Sequence, residues 1–329
     1  SAGDVNYSFT ARDGSLVNIS GGVIGRSFYA DAGSTVNITG GRFGHFLRVR
    51  EDSDVHMSGG VFGESIDFDT DSRVVISGGE FQLDGVPVTG LNNIGDTLPF
   101  NLPEGSVLSG TMADGSPFIF TSEARDRIDD GTLTLALASL PQPSQLFNVP
   151  GDAAPAGLRD GQTLNLYDGG TIPESFAAVH ANMNIYGGSV GEVLEVFDSV
   201  VNMEGGQVGD GMRLLPGSTL NLSGGQMGRR LQASADTQVN IVGHSFAVNG
   251  VYLDHGLSVG ESLVLEDRDV SLTGILGDGT PFIFSLSHYN FYQLDYFDPD
   301  MTLVLTLAAI EGDINGDGFE DFLLGSYGA

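Results

Sequence analysis

A short phrase returns nine times along this chain: an apolar residue, usually Asn, another apolar residue, one or two variable residues and then, in all but the last copy, Gly-Gly. Its central column steps by 19 residues in the first half and by 19, 18, 19 and 19 residues in the second half. A fixed period of about 20 residues is typical of a solenoid, in which neighbouring coils share one core. The central positions are Asn18, Asn37, His56, Val75, Asn165, Asn184, Asn202, Asn221 and Asn240.

Each repeat predicts two or three short strands rather than a helix. Val36 and Ile38 alternate with polar residues, which is the period of a half-buried strand, and the Gly pair that follows permits a tight corner. A second alternating stretch in each coil should point further apolar residues inward. Nineteen residues are too few for a strand, a helix and two connections. We therefore predict an all-β fold, a parallel β-solenoid with about 19 residues per coil. The inward residues predicted for the second stretch are Phe28, Ala30, Leu47, Val49, Ile66 and Phe68.

The chain also carries a duplication at long range. Residues 114–120 match residues 278–284, 164 positions later, and each copy is followed by an alternating strand, at 133–137 and 303–307. Asp-Gly between alternating runs predicts a hairpin. We expect two tandem solenoid units, each with a small antiparallel β cap that protects an open sheet edge. The predicted boundaries are 1–140 for the first unit, 141–310 for the second and 311–329 for a tail.

Charge and composition exclude several kinds of partner. The chain has 13 Arg, no Lys and 43 acidic residues, a formal net charge of −30, so we expect no nucleic acid partner. No apolar run reaches the roughly 18 residues that a membrane span needs, so we expect no membrane insertion. The absence of Cys excludes disulfides and thiolate metal sites. A Gly- and Asp-rich chain without Cys or Lys favours a bacterial protein that is extracellular or on the cell surface.

The most specific local motif is a loop near the C-terminus. Gly at position 6 of this loop allows a sharp turn that brings oxygen ligands together, and such a set suits Ca²⁺. The EF-hand form requires Glu at position 12, where this chain has Leu324, so the loop is not an EF-hand. A plain solvated turn is the alternative interpretation. The predicted metal ligands are Asp313, Asn315, Asp317, the carbonyl of Phe319, and Asp321.

Residues 312–329 (Gly-Asp-Ile-Asn-Gly-Asp-Gly-Phe-Glu-Asp-Phe-Leu-Leu-Gly-Ser-Tyr-Gly-Ala) resemble a single FG-GAP repeat, the calcium-loop repeat of integrin-type propellers. They are less similar to half of a type I dockerin. The remainder of the chain resembles the Gly-Gly/Asn β-solenoid repeats in secreted proteins of marine bacteria. The resemblances imply Ca²⁺ as cofactor at the loop and a secreted protein, and they imply no defined activity.

A polar patch in the first half raises the question of catalysis. Outward positions of the second strand should stack Tyr29 and Asp31, Arg48 and Arg50, and Asp67 and Asp69 in neighbouring coils, with His45 nearby. A β-helical polysaccharide lyase needs a cation to neutralise a uronate and a base to take a proton. Asp67 and Asp69 could hold Ca²⁺. Cross-strand ion pairs are the simpler interpretation, so the preferred assignment has no catalytic residue. The catalytic candidates of the alternative are Arg48, Arg50 and His45.

The sequence thus favours a non-enzymatic extracellular protein with a structural or adhesive role. We expect a homo-oligomer that assembles head to tail into a fibre or sheath with Ca²⁺ support, because such a contact need not close. The alternative is a polysaccharide-active protein, either a β-helix lyase or a carbohydrate-binding module, acting on an acidic polysaccharide.

Overall fold

A computed structural model of the chain describes residues 3–5, 7–63, 65–122, 127–128, 132–253, 257–289 and 294–309. Every regular element in these ranges is a β-strand. Accordingly, this part of the chain contains no helix of the length and apolarity that crossing a membrane requires.

The strands form two successive groups, which we call the first and the second unit. The first unit contains β1 (Ser8–Ala11), β2 (Leu16–Ile24), β3 (Ser27–Ala30), β4 (Thr35–Phe43), β5 (Phe46–Val49), β6 (Asp54–Phe62), β7 (Ser65–Phe68), β8 (Arg73–Leu83), β9 (Val86–Pro87), β10 (Thr97–Phe100), β11 (Val107–Met112), β12 (Pro117–Thr121), β13 (Arg127–Ile128) and β14 (Thr132–Leu137). The second unit contains β15 (Leu146–Val149), β16 (Thr163–Leu166), β17 (Thr171–Ile172), β18 (Phe176–Val179), β19 (Asn182–Ile185), β20 (Ser189–Val190), β21 (Leu194–Phe197), β22 (Val200–Val208), β23 (Arg213–Leu214), β24 (Thr219–Met227), β25 (Gln232–Ala233), β26 (Gln238–Val248), β27 (Val251–Tyr252), β28 (Ser262–Val264), β29 (Ser271–Leu276), β30 (Pro281–Ser285), β31 (Tyr296–Phe297) and β32 (Thr302–Leu307).

Equivalent strands of successive coils pair in parallel, as the repeat predicts. In the first unit the central column is in register throughout, from Asn18 to Asn37, to His56 and to Val75. A second parallel sheet has the order β1-β3-β5-β7-β13. The second unit repeats the arrangement, with its Asn column in register from Asn165 to Asn240 and a second sheet in the order β18-β21-β23-β25-β31. The predicted parallel β-solenoid is confirmed.

The core lies between the two sheets of each unit. The inward pairs of the first strand, from Val36 and Ile38 through to Val239 and Ile241, are at most 1% exposed. The inward residues predicted for the second strand are also buried, with Phe28 and Ala30 fully inaccessible. Burial of these columns is the main favourable contribution to folding, at roughly 25 cal/mol per Å² of apolar surface.

An antiparallel hairpin closes each unit, as the duplication predicts. In the first unit it is β11–β12, and in the second it is β29–β30. An aspartate in each hairpin turn anchors it to a coil. The Asp114 carboxylate accepts a hydrogen bond from the Gly60 amide at 3.0 Å, and that of Asp278 accepts from the Gly225 amide at 2.7 Å. The fold class, including its two caps, is therefore confirmed.

The alternating strands that follow the hairpins return to the solenoid. β14 pairs in parallel with β8, and β32 pairs in parallel with β26. Each therefore adds one more parallel strand to the stack. An antiparallel strand, β10 or β28, pairs with the outer edge of this added strand.

Glycine is required where the corners of successive coils approach each other. A Cβ on Gly63 would lie 1.3 Å from the carbonyl oxygen of Gly44, and one on Gly44 would lie 2.0 Å from that of Gly25. Backbone atoms cannot yield as a flexible side chain can, so a methyl group here would separate the coils. Gly21, in contrast, has no heavy atom of the described residues within 4 Å of the position of a Cβ, apart from its own chain neighbours.

We predict that Gly63→Ala lowers the free energy of unfolding by about 3 kcal/mol or more, because overpacking against backbone must displace a coil. Gly21→Ala is the matched control, and it should change stability by less than about 1 kcal/mol. Urea unfolding of both variants measures the difference. Equal stabilities would contradict the close stacking of these corners.

Candidate functional site

The polar patch predicted on the first unit exists. Parallel pairing of β3 with β5 and of β5 with β7 places Tyr29 beside Arg48 and Arg48 beside Asp67. Their side chains point outward, because the residues between them, such as Ala30 and Val49, point into the core. The structure therefore brings together the outward residues of three coils, as the 19-residue step predicts.

Ion pairs link the charges of this patch across the strands. Arg48 Nη2 lies 2.8 Å from Asp69 Oδ1, and Arg48 Nε lies 3.4 Å from Asp67 Oδ2. Arg50 Nη1 lies 3.1 Å from Asp31 Oδ1, and the Arg50 guanidinium lies over the Tyr29 ring at 5.7 Å from its centre. These columns therefore carry the cross-strand ion pairs that the simpler interpretation predicts.

Arg48 is poorly suited to the proton abstraction that a lyase requires. The hydrogen bond to Asp69 is the main cause that raises the pKa of the Arg48 guanidinium, with charge attraction from Asp67 and Asp69 adding to it. A guanidinium held in its protonated form cannot accept a proton from a substrate. The third candidate, His45, lies exposed at the corner just before β5.

The equivalent surface of the second unit is a buried contact between the two units. Arg213 and Glu195 form an ion pair at 3.1 Å, and both side chains are almost fully buried. Arg213 Nη2 also donates a hydrogen bond to Thr121 Oγ1 of the first cap, at 3.2 Å. Around them lies an apolar cluster to which both units contribute, and we call it the unit interface. Its members are Val107, Ile119, Val179, Phe197 and Leu215.

Sequence reasoning missed this contact although a signal for it was present. Phe197 and Leu215 occupy outward strand positions, where the first unit carries the charged residues Asp31 and Arg50. An apolar residue at an outward position predicts a covered surface. The repeat locates that column but not its partner, because the cap that covers it lies about 80 residues away.

A cleft of about 410 Å³ lies beside the second cap, between the hairpin β29–β30 and the coils. Asp295 lines this cleft and accepts hydrogen bonds from the amides of Leu231 and Ser285, both at 3.0 Å. Burial raises the pKa of the Asp295 carboxyl, and these backbone hydrogen bonds only partly offset the effect. The apolar side chains of Ile283 and Leu294 line the same cleft.

Two exposed tyrosines form a further surface feature on the second unit. The rings of Tyr167 and Tyr186 stack with centres 5.4 Å apart and an interplanar angle of 17°. Each ring keeps more than 40% of its surface accessible. Stacked aromatic faces of this kind can contact the apolar face of a sugar.

The Asn column is a structural element. From Asn165 through to Asn240, each side-chain amide Nδ2 donates a hydrogen bond to the side-chain Oδ1 of the Asn one coil earlier, at 2.7–2.9 Å. Asn148 extends this ladder by one coil that the repeat did not reveal. In the first unit the ladder has one step, from Asn37 to Asn18.

The predicted calcium ligands Asp313, Asn315, Asp317, Phe319 and Asp321 lie outside the described residues. Within the described ranges, no group of three or more His, Asp or Glu side chains is placed to hold a metal ion. The Ca²⁺ site in the loop therefore stays a prediction from the sequence.

Comparison of the chain with protein-family models, with curated proteins and with solved structures gives no match.

Burial of Asp295 predicts a specific pH dependence of stability. Its carboxyl binds a proton more tightly in the folded than in the unfolded chain, so the contribution of Asp295 to wild-type stability should fall as pH rises from about 3.9, the unfolded value, through the folded pKa. Asp295→Asn cannot ionise and should gain stability relative to wild type over this window. Urea unfolding across the pH range measures the difference.

Asp54→Asn provides the control of opposite sign. The hydrogen bond from Arg73 lowers the pKa of Asp54, so wild type gains stability from its ionisation as pH rises. That gain is complete at about 3.9, the unfolded value, so relative to wild type Asp54→Asn should lose stability as pH rises to about 3.9 and stay level above it. An Asp295→Asn profile that stays level relative to wild type above about pH 3.9 would show that burial of Asp295 has no effect.

Proposed function

We propose that this protein is a non-enzymatic, extracellular structural or adhesive element that works by docking solenoid units against one another. The observation that carries the proposal is the unit interface. There the cap of the first unit packs on the outward face of the second through Ile119, Phe197 and Leu215. Docking of one unit on another is thus already a property of this chain.

The state of the polar residues supports a structural role over catalysis. Arg48 and Arg50 are engaged with the carboxylates beside them, and Arg213 is buried between the units. These arginines form ion pairs with carboxylates of neighbouring coils, and the pairs stabilise a surface on which charged residues are stacked.

Self-assembly needs a surface at which a second copy can add, and the first coil offers one. Phe9, Val17 and Ile19 occupy inward positions but remain partly accessible, unlike their equivalents in later coils. They line a shallow cleft together with backbone of β2. A second copy that stacked here would bury them. Ca²⁺ would reduce the repulsion between chains of formal charge −30.

Electron microscopy of the full chain in Ca²⁺ and in EDTA tests this proposal. We expect elongated head-to-tail assemblies in Ca²⁺ that shorten or disappear in EDTA, together with no release of unsaturated uronate from alginate, pectate or ulvan. A monomer that stays unchanged by Ca²⁺ at high concentration would contradict self-assembly. Lyase activity that Arg48→Ala and Arg50→Ala abolish would replace the structural role by the enzymatic one.

Carbohydrate binding is the second candidate, and the exposed Tyr167–Tyr186 stack favours it. If the stack binds sugar, the double variant Tyr167→Ala/Tyr186→Ala should weaken retention on an alginate, pectate or ulvan gel at least tenfold, about 1.4 kcal/mol. Tyr252→Ala is the control, because Tyr252 is an exposed tyrosine outside the stack. Retention that is identical in wild type and both variants would rule out this use of the tyrosines.

A further inference from the structure

The two caps are the same hairpin in different surroundings. Pro117, Ile119 and Thr121 of β12 correspond to Pro281, Ile283 and Ser285 of β30, 164 residues later. The cross-strand pairing agrees, since Ile119 pairs with Ser109 in one hairpin and Ile283 pairs with Thr273 in the other. The surroundings of the two hairpins can therefore be compared position by position.

The outer face of the first cap is covered by the second unit. Ile119 is 6% exposed within the unit interface, and Thr121 accepts the hydrogen bond from Arg213. Pro117 lies so close to Gly157 of the second unit that a Cβ on that glycine would come within 2.5 Å of the proline ring.

The outer face of the second cap is open. Ile283 is 70% exposed, and Pro281 and Ser285 are exposed beside it. The cleft that contains Asp295 and Leu294 adjoins this face. We call Pro281, Ile283 and Ser285 the second-cap face. It keeps the shape, the apolar centre and the hydroxyl of a surface that elsewhere in the chain is a docking surface.

The unit interface shows which kind of surface packs against such a cap face. Its receptor is an outward column of apolar residues, Val179, Phe197 and Leu215, next to the arginine that donates to the cap hydroxyl. Arg213 and Leu215 flank the buried Leu214 in the same way as Arg48 and Arg50 flank the buried Val49.

The first unit of another copy does not offer this receptor. It keeps the arginine, as Arg48, but it has Asp31 and Arg50 at the positions of Phe197 and Leu215, and these two form an ion pair. Seating Ile283 there would remove that ion pair from water and give it no new polar partner, which is unfavourable.

We propose that the second-cap face is a docking site for a β-solenoid unit on another molecule. The partner would present an outward apolar column with an arginine two positions before one of its apolar members, as in Arg213-Leu214-Leu215. Its arginine would donate to the Ser285 hydroxyl, and its apolar column would cover Ile283. The proposal rests on the docking role proposed above and adds to it the chemical class of the partner.

A graft within the full chain tests the proposal without a known partner. The triple variant Arg12→Val/Asp31→Phe/Arg50→Leu gives the first unit the receptor column of the second while leaving Arg48 in place. We expect this variant to associate at least about tenfold more tightly than wild type in sedimentation velocity, because a buried apolar centre dominates such contacts.

Two further substitutions in the grafted chain show whether the second-cap face is used. Ile283→Arg should return association to the wild-type level. Val251→Arg is the matched control, because Val251 is equally exposed and its counterpart in the first unit, Val86, stays 66% exposed although that cap is docked. Val251→Arg should therefore leave association unchanged. Circular dichroism confirms that each variant is folded.

A second route uses the receptor that the chain already has. Ile119→Arg should displace the first cap and open the column of Phe197 and Leu215. Labelled Ile119→Arg protein should then bind wild type, and it should bind the Ile283→Arg variant at least about tenfold less tightly. This route keeps the proposal testable if the graft does not fold.

Three results would overturn the proposal. The first is a folded graft that associates no more than wild type. The second is association that survives Ile283→Arg. The third is wild-type assembly that depends on Ile283, because the charged column would then suffice as receptor. Assembly that is the same in wild type and in the Ile283→Arg variant supports the structural role alone. Failure of either proposal can therefore be recognised separately.

Discussion

Lateral hydrogen bonding between coils in register is the constraint on which the rest of this structure depends. Each strand satisfies its backbone groups with the coils on either side, at a spacing of about 4.8 Å. Each residue therefore contacts the residues at the same position in the coils on either side. Inward columns must be apolar, and corner columns must be glycine where backbones nearly touch, as at Gly44 and Gly63.

The same stacking decides which outward residues are tolerated. Identical charges would repel in a column, so the first unit alternates Asp31 with Arg50, whereas Asn can repeat because its amide both donates and accepts. An apolar outward column such as Val179, Phe197 and Leu215 is stable only when something covers it. In this chain the first cap covers it, and this contact holds the two stacks together along that column.

Much of the fold and part of the site could be predicted because a repeat converts sequence spacing into spatial adjacency. The register of the Asn column, the inward residues and the cross-strand pairing of Arg48 with Asp67 and Asp69 all follow from the 19-residue step. The pairing of β14 with β8 and the contact of Ile119 with Phe197 did not follow. They join segments that are not related by the period. The calcium loop and the domain boundaries remain predictions.

The sequence by itself determined the coil, because the alternation of apolar residues and the placement of glycine leave a chain of this period few other ways to bury its core. It also determined that each unit carries a hairpin after its repeated coils, since Asp-Gly between two alternating runs sets a local turn. Only the tertiary structure decided that the first cap is covered and the second is open. Both caps have nearly the same sequence, and the difference lies in which distant outward column reaches each one.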